Sequence, residues 1–327
     1  MNILVTGGAG FLGSRLCHRL VTAGHRVVAL DNVISGSWDS VFLLEEQYPD
    51  LFCIWPTDVR NPIDLRDCRI FTRADQIYNL ACPASPPRYQ ADPIGTLLTC
   101  VVGAQNVLDY ALECNAVVLQ ASTSEVYGDP QVFPQSESYL GNVNPHGIRS
   151  CYDEGKRAAE SLFMDYHRLH GVRVKILRIF NTYGPGMDPE DGRVVSNWIV
   201  RVLQGKPLEI YGDGLQTRSF CYVDDLLSGM IALANSPDHI TGPVNCGNPV
   251  EITLLELADT ILQILGRDLA LNHLPAVGDD PRRRCPDITL AKSLLGWSPQ
   301  TDLRTGLEKT VEYFQEVLNA RTGSTTE

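Results

Sequence analysis

One stretch at the N-terminus constrains the fold more than anything else in the chain. Asn2-Ile3-Leu4-Val5-Thr6 is a short apolar run that reads as a buried strand. Gly7-Gly8-Ala9-Gly10-Phe11-Leu12-Gly13 follows at once and opens a helical stretch reaching about Ala23. Glycines 7, 10 and 13 have the spacing G-x-x-G-x-x-G. The first permits a tight turn, the second lets a pyrophosphate approach the backbone, and the third lets helix and strand pack closely. Free N–H groups at the helix start then face the phosphates. A glycine triplet alone is weak evidence, but this one lies between a strand and a helix, the context the motif demands. Gly24 ends the helix, and Arg26-Val27-Val28-Ala29-Leu30 reads as a second strand with Asp31 at its end. A carboxylate about 20 residues after the loop accepts hydrogen bonds from the adenosine ribose and repels a 2′-phosphate, which favours NAD over NADP. The plain alternative for Asp31 is a strand-end turn residue.

The same rhythm continues. Leu51–Trp55 reads as a third strand, with Asp58-Val59 after it, and Gln76–Ala81 as a fourth. Pro83, Pro86 and Pro87 force a loop at a carboxyl strand end, where open α/β sheets bind ligands. A helix is expected from Pro93 to Cys114, then a fifth strand at Val117–Ala121, the Tyr152 helix, and a sixth strand at Val174–Ile179. This alternation predicts an α/β fold with a Rossmann-type, doubly wound parallel sheet. Residues 1–180 form the expected NAD-binding domain. After Phe180 the pattern changes to glycine-rich loops, so 181–327 is expected to be mainly a smaller C-terminal substrate-binding lobe over the mouth of the sheet. Within it, 216–247 is expected to return to the first domain. The tail from about Ala320 is expected to fray.

Composition narrows the function. The chain has 327 residues, enough for a large core and two lobes. A hydrophobic content of 44% with 20% charged residues fits a soluble globular protein. A net charge of −12 argues against nucleic acid as a partner. No apolar run reaches the roughly 18 residues a membrane helix needs. The ten cysteines contain no C-x-x-C pair, and many sit in apolar runs, which suits reduced thiols in a cytoplasmic protein. Cleavage of a signal peptide would destroy the glycine loop, so none is expected. No metal site is expected.

Arg149-Ser150-Cys151-Tyr152-Asp153-Glu154-Gly155-Lys156-Arg157 places a tyrosine and a lysine four residues apart on an expected helix, where both can touch one ligand. A free tyrosine has a pKa of about 10 and is a poor base at neutral pH. A cation beside it favours the phenolate and makes it a usable acid/base catalyst. An isolated pair of this kind is most simply a surface pair. The nucleotide loop and the hydroxyl-carboxyl run Ser122-Thr123-Ser124-Glu125 shift the balance toward catalysis.

Together these residues resemble the extended short-chain dehydrogenase/reductases that act on nucleotide sugars. More closely, Ala81–Pro86, Ala121–Pro130, Ser150–Arg157, Asp191–Asn197, Tyr211–Gly214, Gln216–Asp225 and Asp279-Asp280-Pro281 through Pro286-Asp287-Ile288 resemble the UDP-glucuronic acid decarboxylase family over nearly the whole chain. The resemblance implies a bound NAD held by Gly7, Gly10, Phe11, Leu12, Gly13, Asp31, Asn32, Asp58, Val59, Leu80, Ala81, Tyr152, Lys156 and Arg193. It implies that Tyr152, with Thr123, removes the C4 hydroxyl proton while hydride leaves C4. Lys156 holds the nicotinamide ribose and lowers the tyrosine pKa. Loss of CO2 from the 4-keto sugar, protonation and hydride return then give UDP-xylose. Glu125, supported by Ser124, orients the substrate or relays a proton. Of Arg282, Arg283 and Arg284, the resemblance points to Arg284 as the anion ligand. Pro83, Asn181, Asn197, Tyr211 and Arg218 complete the implied sugar-nucleotide pocket, and a homodimer pairing the helices near 93–114 and 150–170 is implied.

Three positions depart from the family pattern. Gly186 stands where an arginine is usual, and Leu98 and Cys100 flank Thr99 where lysine and asparagine are usual. These leave open release of a 4-keto-pentose before reduction, and dTDP in place of UDP. Competing readings are a 4-epimerase, which needs no carboxylate handling and leaves Glu125 and Arg284 without a role; a 4,6-dehydratase, which would carry an acid at Ser124; and a redox-sensing NAD-binding regulator, which has no need of Tyr152, Lys156 and Thr123.

Overall fold

The computed structural model describes residues 1–275 and 283–323, with side chains to 321. Six strands, β1 (Asn2–Thr6), β2 (Arg26–Asp31), β3 (Phe52–Pro56), β4 (Gln76–Asn79), β5 (Val117–Thr123) and β6 (Arg173–Ile179), join Val244–Cys246 in one parallel seven-stranded sheet. Its order is Val244–Cys246, β6, β5, β4, β1, β2, β3. A parallel sheet is covered on both faces, so its strands are nearly continuous apolar runs rather than alternating ones. Successive residues still point to opposite faces. Ile3, Val5, Val27 and Ala29 join the layer that holds Leu16 and Leu20 of helix α1 (Phe11–Thr22). Leu4, Val28 and Ile77 face the other layer.

Helix α2 (Asp39–Gln47) follows β2, and two short helices, α3 (Pro86–Ala91) and α4 (Pro93–Leu98), follow β4. The single helix expected from Pro93 to Cys114 is broken in character. A π-helical turn, Thr99–Gly103, separates α4 from α5 (Ala104–Cys114). Such turns are rare and sit disproportionately at functional sites. Helix α6 (Ser150–His170) carries Tyr152 and Lys156. It packs Ala159 and Phe163, with Val107, Leu108 and Ala111 of α5, on the sheet.

Beyond Phe180 the main elements are helices α7 (Val194–Leu203), α8 (Val223–Ala234), α9 (Leu254–Leu265), α10 (Thr289–Leu295) and α11 (Leu303–Gly323). Three two-stranded ladders accompany them: Leu208–Tyr211 with Leu271–Leu274, Thr217–Ser219 with Glu251–Thr253, and Thr182–Tyr183 with Cys221–Tyr222. The chain returns to the main sheet twice. α8 packs against β5 and β6, and Val244 pairs with Leu177 to extend the sheet edge. The segment Thr217–Tyr222 stays in the side ladders. α11 continues past Ala320 to Gly323. All ten cysteines are free thiols. Among the described residues no helix is long and apolar enough to cross a membrane.

Candidate active site

The glycine loop is built without room for side chains. Gly7 has φ +70, and a Cβ there would lie 2.8 Å from the Ala81 nitrogen; a Cβ on Gly13 would lie 2.0 Å from the Gly7 carbonyl oxygen. α1 begins at Gly10 with no side-chain cap, so its first N–H groups remain available to an anion. Asp31 accepts hydrogen bonds from Ala9 N (3.0 Å) through one oxygen and Val33 N (2.8 Å) through the other. Burial raises its pKa, and these backbone donors oppose the rise. The cleft beside it is lined by Gly7, Gly10, Asp31, Asn32, Val59, Leu80, Ala81 and Pro83. Asn32 donates to Asp58 (3.0 Å), whose carboxylate is also held by Arg60 at 2.6 Å. That ion pair keeps Asp58 below the usual carboxylate range. Phe11 and Leu12 pack on the core, and the Arg193 guanidinium lies over the Phe11 ring, 5.6 Å from its centre. Arg193 is tied to Asp191 at 2.5 Å. Bare backbone, open N–H donors and a carboxylate in the cleft lining together fit a dinucleotide.

The catalytic candidates meet at the carboxyl end of β5. Thr123 ends that strand and Tyr152 lies in the first turn of α6, with the Thr123 side chain near enough to favour the phenolate. Lys156, one turn on, donates to the Ala121 carbonyl (2.8 Å), and its Nζ lies 5.8 Å from the centre of the Tyr152 ring. Burial dominates the phenol and pushes its pKa up, Cys82 adds to the rise, and the neighbouring Thr123 hydroxyl pulls the other way. The depression expected from Lys156 is therefore not the leading influence on Tyr152. The ring of Tyr89, from α3, stacks on Tyr152 with centres 5.1 Å apart and planes 6° from parallel.

Glu125 lies in a short 3₁₀ turn, Ser124–Tyr127, capped by Thr123 Oγ1, which accepts from Glu125 N. Its carboxylate is not held by Ser124, as expected, but by two guanidiniums. Arg149 lies at 2.7 Å and Arg284 at 2.8 Å, and all three side chains are 13% exposed or less. Burial works against the anion, but Arg284 and Arg149 outweigh it and lower the Glu125 pKa. Asp153 shows the reverse. Burial and the nearby Glu125 push its carboxyl up to about 7, and its Oδ1 has no hydrogen-bond partner.

Arg284 is aimed by Gln135, although 149 residues separate them in sequence. Gln135 N donates to the Cys285 carbonyl (2.8 Å), and Cys285 N donates to Gln135 Oε1 (2.7 Å). Arg284 also donates to Asn181 Oδ1 at 3.1 Å. Arg218 is buried, donates to the Thr217 carbonyl and adds to the field on Glu125. Asn197 and Tyr211 are exposed: Asn197 donates to the Gly192 carbonyl (3.2 Å), and Tyr211 is 48% exposed at a strand end. Arg283 is committed to Glu251 at 2.5 Å. Asp279, Asp280, Pro281 and Arg282 lie outside the described residues. Of the three departures, Leu98 is 42% exposed, Cys100 is buried, and Gly186 has φ +96 with Arg15 packed against it. Sequence reasoning assigned no role to Tyr89, Arg149 or Asp153. Arg149 and Asp153 flank the Tyr152 motif, which was the available signal.

Comparison with known proteins agrees with this geometry. The family model described as "NAD dependent epimerase/dehydratase family" matches residues 3–247. UDP-glucuronic acid decarboxylase 6 of Arabidopsis thaliana is 49% identical, covering 96% of this chain and 89% of the relative. UDP-glucuronic acid decarboxylase 1 of Xenopus tropicalis is 48% identical, covering 97% and 72%. Among solved structures, the Bacillus cereus UDP-glucuronic acid 4-epimerase in complex with UDP-glucuronic acid and NAD superposes with a TM-score of 0.86. It is 30% identical, over 97% of this chain and 100% of that one. The Thermotoga maritima UDP-glucose 4-epimerase with UDP-glucose gives 0.89 at 29% identity, with the same coverage. With three-quarters of its length matched and its dinucleotide loop, Tyr–Lys helix and parallel sheet in register, the chain belongs to the NAD dependent epimerase/dehydratase family.

Proposed function

We propose that this protein is an NAD-dependent decarboxylase of UDP-glucuronate, working through a C4-keto intermediate to give UDP-xylose and CO2. The observation that carries the reading is the buried Glu125–Arg284 pair, 2.8 Å apart, close enough to Tyr152, beside Thr123, to act on its phenol. An alcohol-oxidising centre thus adjoins a guanidinium suited to a carboxylate. The relatives at 48–49% identity carry the decarboxylase name, which supports the same reading.

NAD, held by the glycine loop and Asp31, supplies the hydride acceptor at C4 and the donor for its return. Tyr152 takes the C4 hydroxyl proton; Thr123 holds the same oxygen, and Lys156 supplies a nearby positive charge that favours the phenolate. The ketone at C4 is β to the C5 carboxylate, so the electron pair released with CO2 spreads onto the C4 oxygen. The Tyr152 and Thr123 hydroxyls donate to that oxygen. Glu125 stays ionised because of its two arginines, so it suits orienting Arg284 and accepting a proton better than serving as a resident acid. Pro83, Asn181 and Arg218 complete the sugar pocket, with Asn197 and Tyr211 at its outer rim. Ser124 is buried in the same 3₁₀ turn as Glu125. Arg193 meets the cofactor beside Phe11. Residues 1–180, with 216–247 returning, hold the dinucleotide, and 181–327 mainly cover the sugar. The exposed apolar residues of α4, Ile94, Leu97 and Leu98, support a homodimer formed on this helix face. The free cysteines fit a reducing, cytoplasmic setting.

A solved neighbour acts on UDP-glucuronic acid as an epimerase, so carboxylate recognition does not separate the two chemistries. Release of CO2 does. Incubation with UDP-glucuronate and NAD, followed by CO2 detection and NMR of the sugar, should give UDP-xylose. UDP-galacturonate without CO2 would establish the epimerase instead. UDP-4-keto-pentose with NADH would show that the intermediate escapes, and CO2 only from dTDP-glucuronate would change the nucleotide.

A further inference from the structure

Two thiols that the proposed reaction does not use lie against each other at the cleft. Cys82 follows β4 in the turn Ala81-Cys82-Pro83, half-buried and lining the cleft. Cys100 sits in the π-helical turn and is 4% exposed. Their sulfurs are 3.3 Å apart, at hydrogen-bond distance. Cys100 is seated on Gly155, where an added Cβ would lie 3.0 Å from its Cβ and 3.2 Å from its Sγ. That glycine falls between Tyr152 and Lys156 on α6. The pair therefore bridges the cofactor cleft and the helix that carries the proposed base.

We infer that Cys82 and Cys100 are a redox modification site, a dithiol that a small-molecule disulfide of the glutathione class converts to an intramolecular disulfide. The inference does not depend on which sugar the protein turns over. Attack on a disulfide requires a thiolate. The first proton leaves this pair readily: Cys100 is pushed down to about 7, chiefly because the Cys82 thiol donates to it, against its burial and with help from Lys156. One sulfur of the pair displaces a glutathione thiolate and forms a mixed disulfide. The other, after losing its proton, attacks the protein sulfur of that bond and expels the second glutathione. Two cysteines are oxidised, one glutathione disulfide is reduced to two thiols, and the two protons go to the departing thiolates. The sulfurs must close from 3.3 Å to the ~2.05 Å of a disulfide, which pulls the turn after β4 toward α6. Cys82 is also, after burial, the leading influence on the Tyr152 phenol, so oxidation changes both the position and the field around the base.

The test is to incubate the full protein, with cofactor bound, with glutathione disulfide. Intact mass should fall by two hydrogens per chain, and peptide mapping should find a Cys82–Cys100 link. Turnover should fall roughly tenfold to a hundredfold, the scale of an ångström-level displacement at a reacting centre. Dithiothreitol should restore both. Cys100→Ser should abolish the link and make turnover insensitive to glutathione disulfide, read as the ratio of treated to untreated rate; Cys82→Ala should abolish the link and level the same ratio should the first variant fold poorly. Cys151→Ala should keep the link, because the third thiol nearby is not a partner. A stable glutathione adduct without ring closure, a link to Cys151, or a link that leaves turnover unchanged would overturn the proposal.

Discussion

Glu125 is charged in a place that would otherwise forbid it. Its carboxyl lies below the ordinary value of 4.5 because Arg284 and Arg149 outweigh burial. An acid depressed in the folded state adds stability above its unfolded pKa, and that stability drains away as pH falls through the folded value. Glu125→Gln leaves two buried cations without their anion, at a cost of about 3–5 kcal/mol. Melting curves below about pH 4.5 should therefore decline less steeply in this variant than in the native protein. In assays Glu125→Gln should still oxidise C4, seen as NADH, but release CO2 slowly; unchanged CO2 release refutes its role. Asp153 has the opposite sign. Its carboxyl rises from 3.8 to about 7, so the folded state prefers the proton, and a penalty grows as pH climbs through that window. Asp153→Asn should raise the melting temperature at pH ~8 but not at pH ~4, and an equal change at both would sink this account. Tyr152→Phe should slow hydride transfer by about 10²–10⁴-fold while NAD still binds; NADH formation at the native rate would be fatal to the assignment. The positions of Tyr152, Lys156, Thr123 and Glu125 were legible because they follow from local spacing on one helix and one strand end. Tyr89 and Asp153 were not. Tyr89 reaches Tyr152 only through the fold of α3, and the state of Asp153 is set by burial and by the nearby Glu125.

At the scale of elements, the loop after β1 depends on the contact between Gly13 and Gly7. With a Cβ only 2.0 Å from the Gly7 carbonyl, Gly13→Ala must push α1 off the loop. NAD affinity should fall at least about tenfold in a fluorescence titration, a change of ~1.4 kcal/mol; native affinity would show that the loop can yield. This loop, Asp31 and the six strands were readable because apolar runs between turn signals admit few alternatives. The π turn in the helix from Pro93 was not readable. Its residues, Thr-Cys-Val-Val-Gly, carry no local signal for a π turn, and its surroundings, α6 and Val59, are brought in by the fold. Likewise Ser122 and Thr123 read as a loop, yet they extend β5 by pairing with Arg178 and Ile179.

For the whole molecule, the parallel sheet followed from the alternation of strands and helices. The path of the second half did not, since the short ladders beyond Phe180 carry weak periodicity. An assembly prediction belongs here. Ile94 is 72% exposed on α4, beside exposed Leu97 and Leu98. Light scattering should give a dimer mass for the native protein and a monomer mass for Ile94→Asp with its fold intact by circular dichroism; a dimer in both would move the interface elsewhere. The edge strand Val244–Cys246 has one more implication, for biosynthesis. As the chain leaves the ribosome, β6 has an open flank until residues 67 positions later emerge to cover it, a count set by the pairing of Val244 with Leu177 and Cys246 with Ile179. A chain that stops short of Val244 therefore presents the flank of β6 as an unpaired edge.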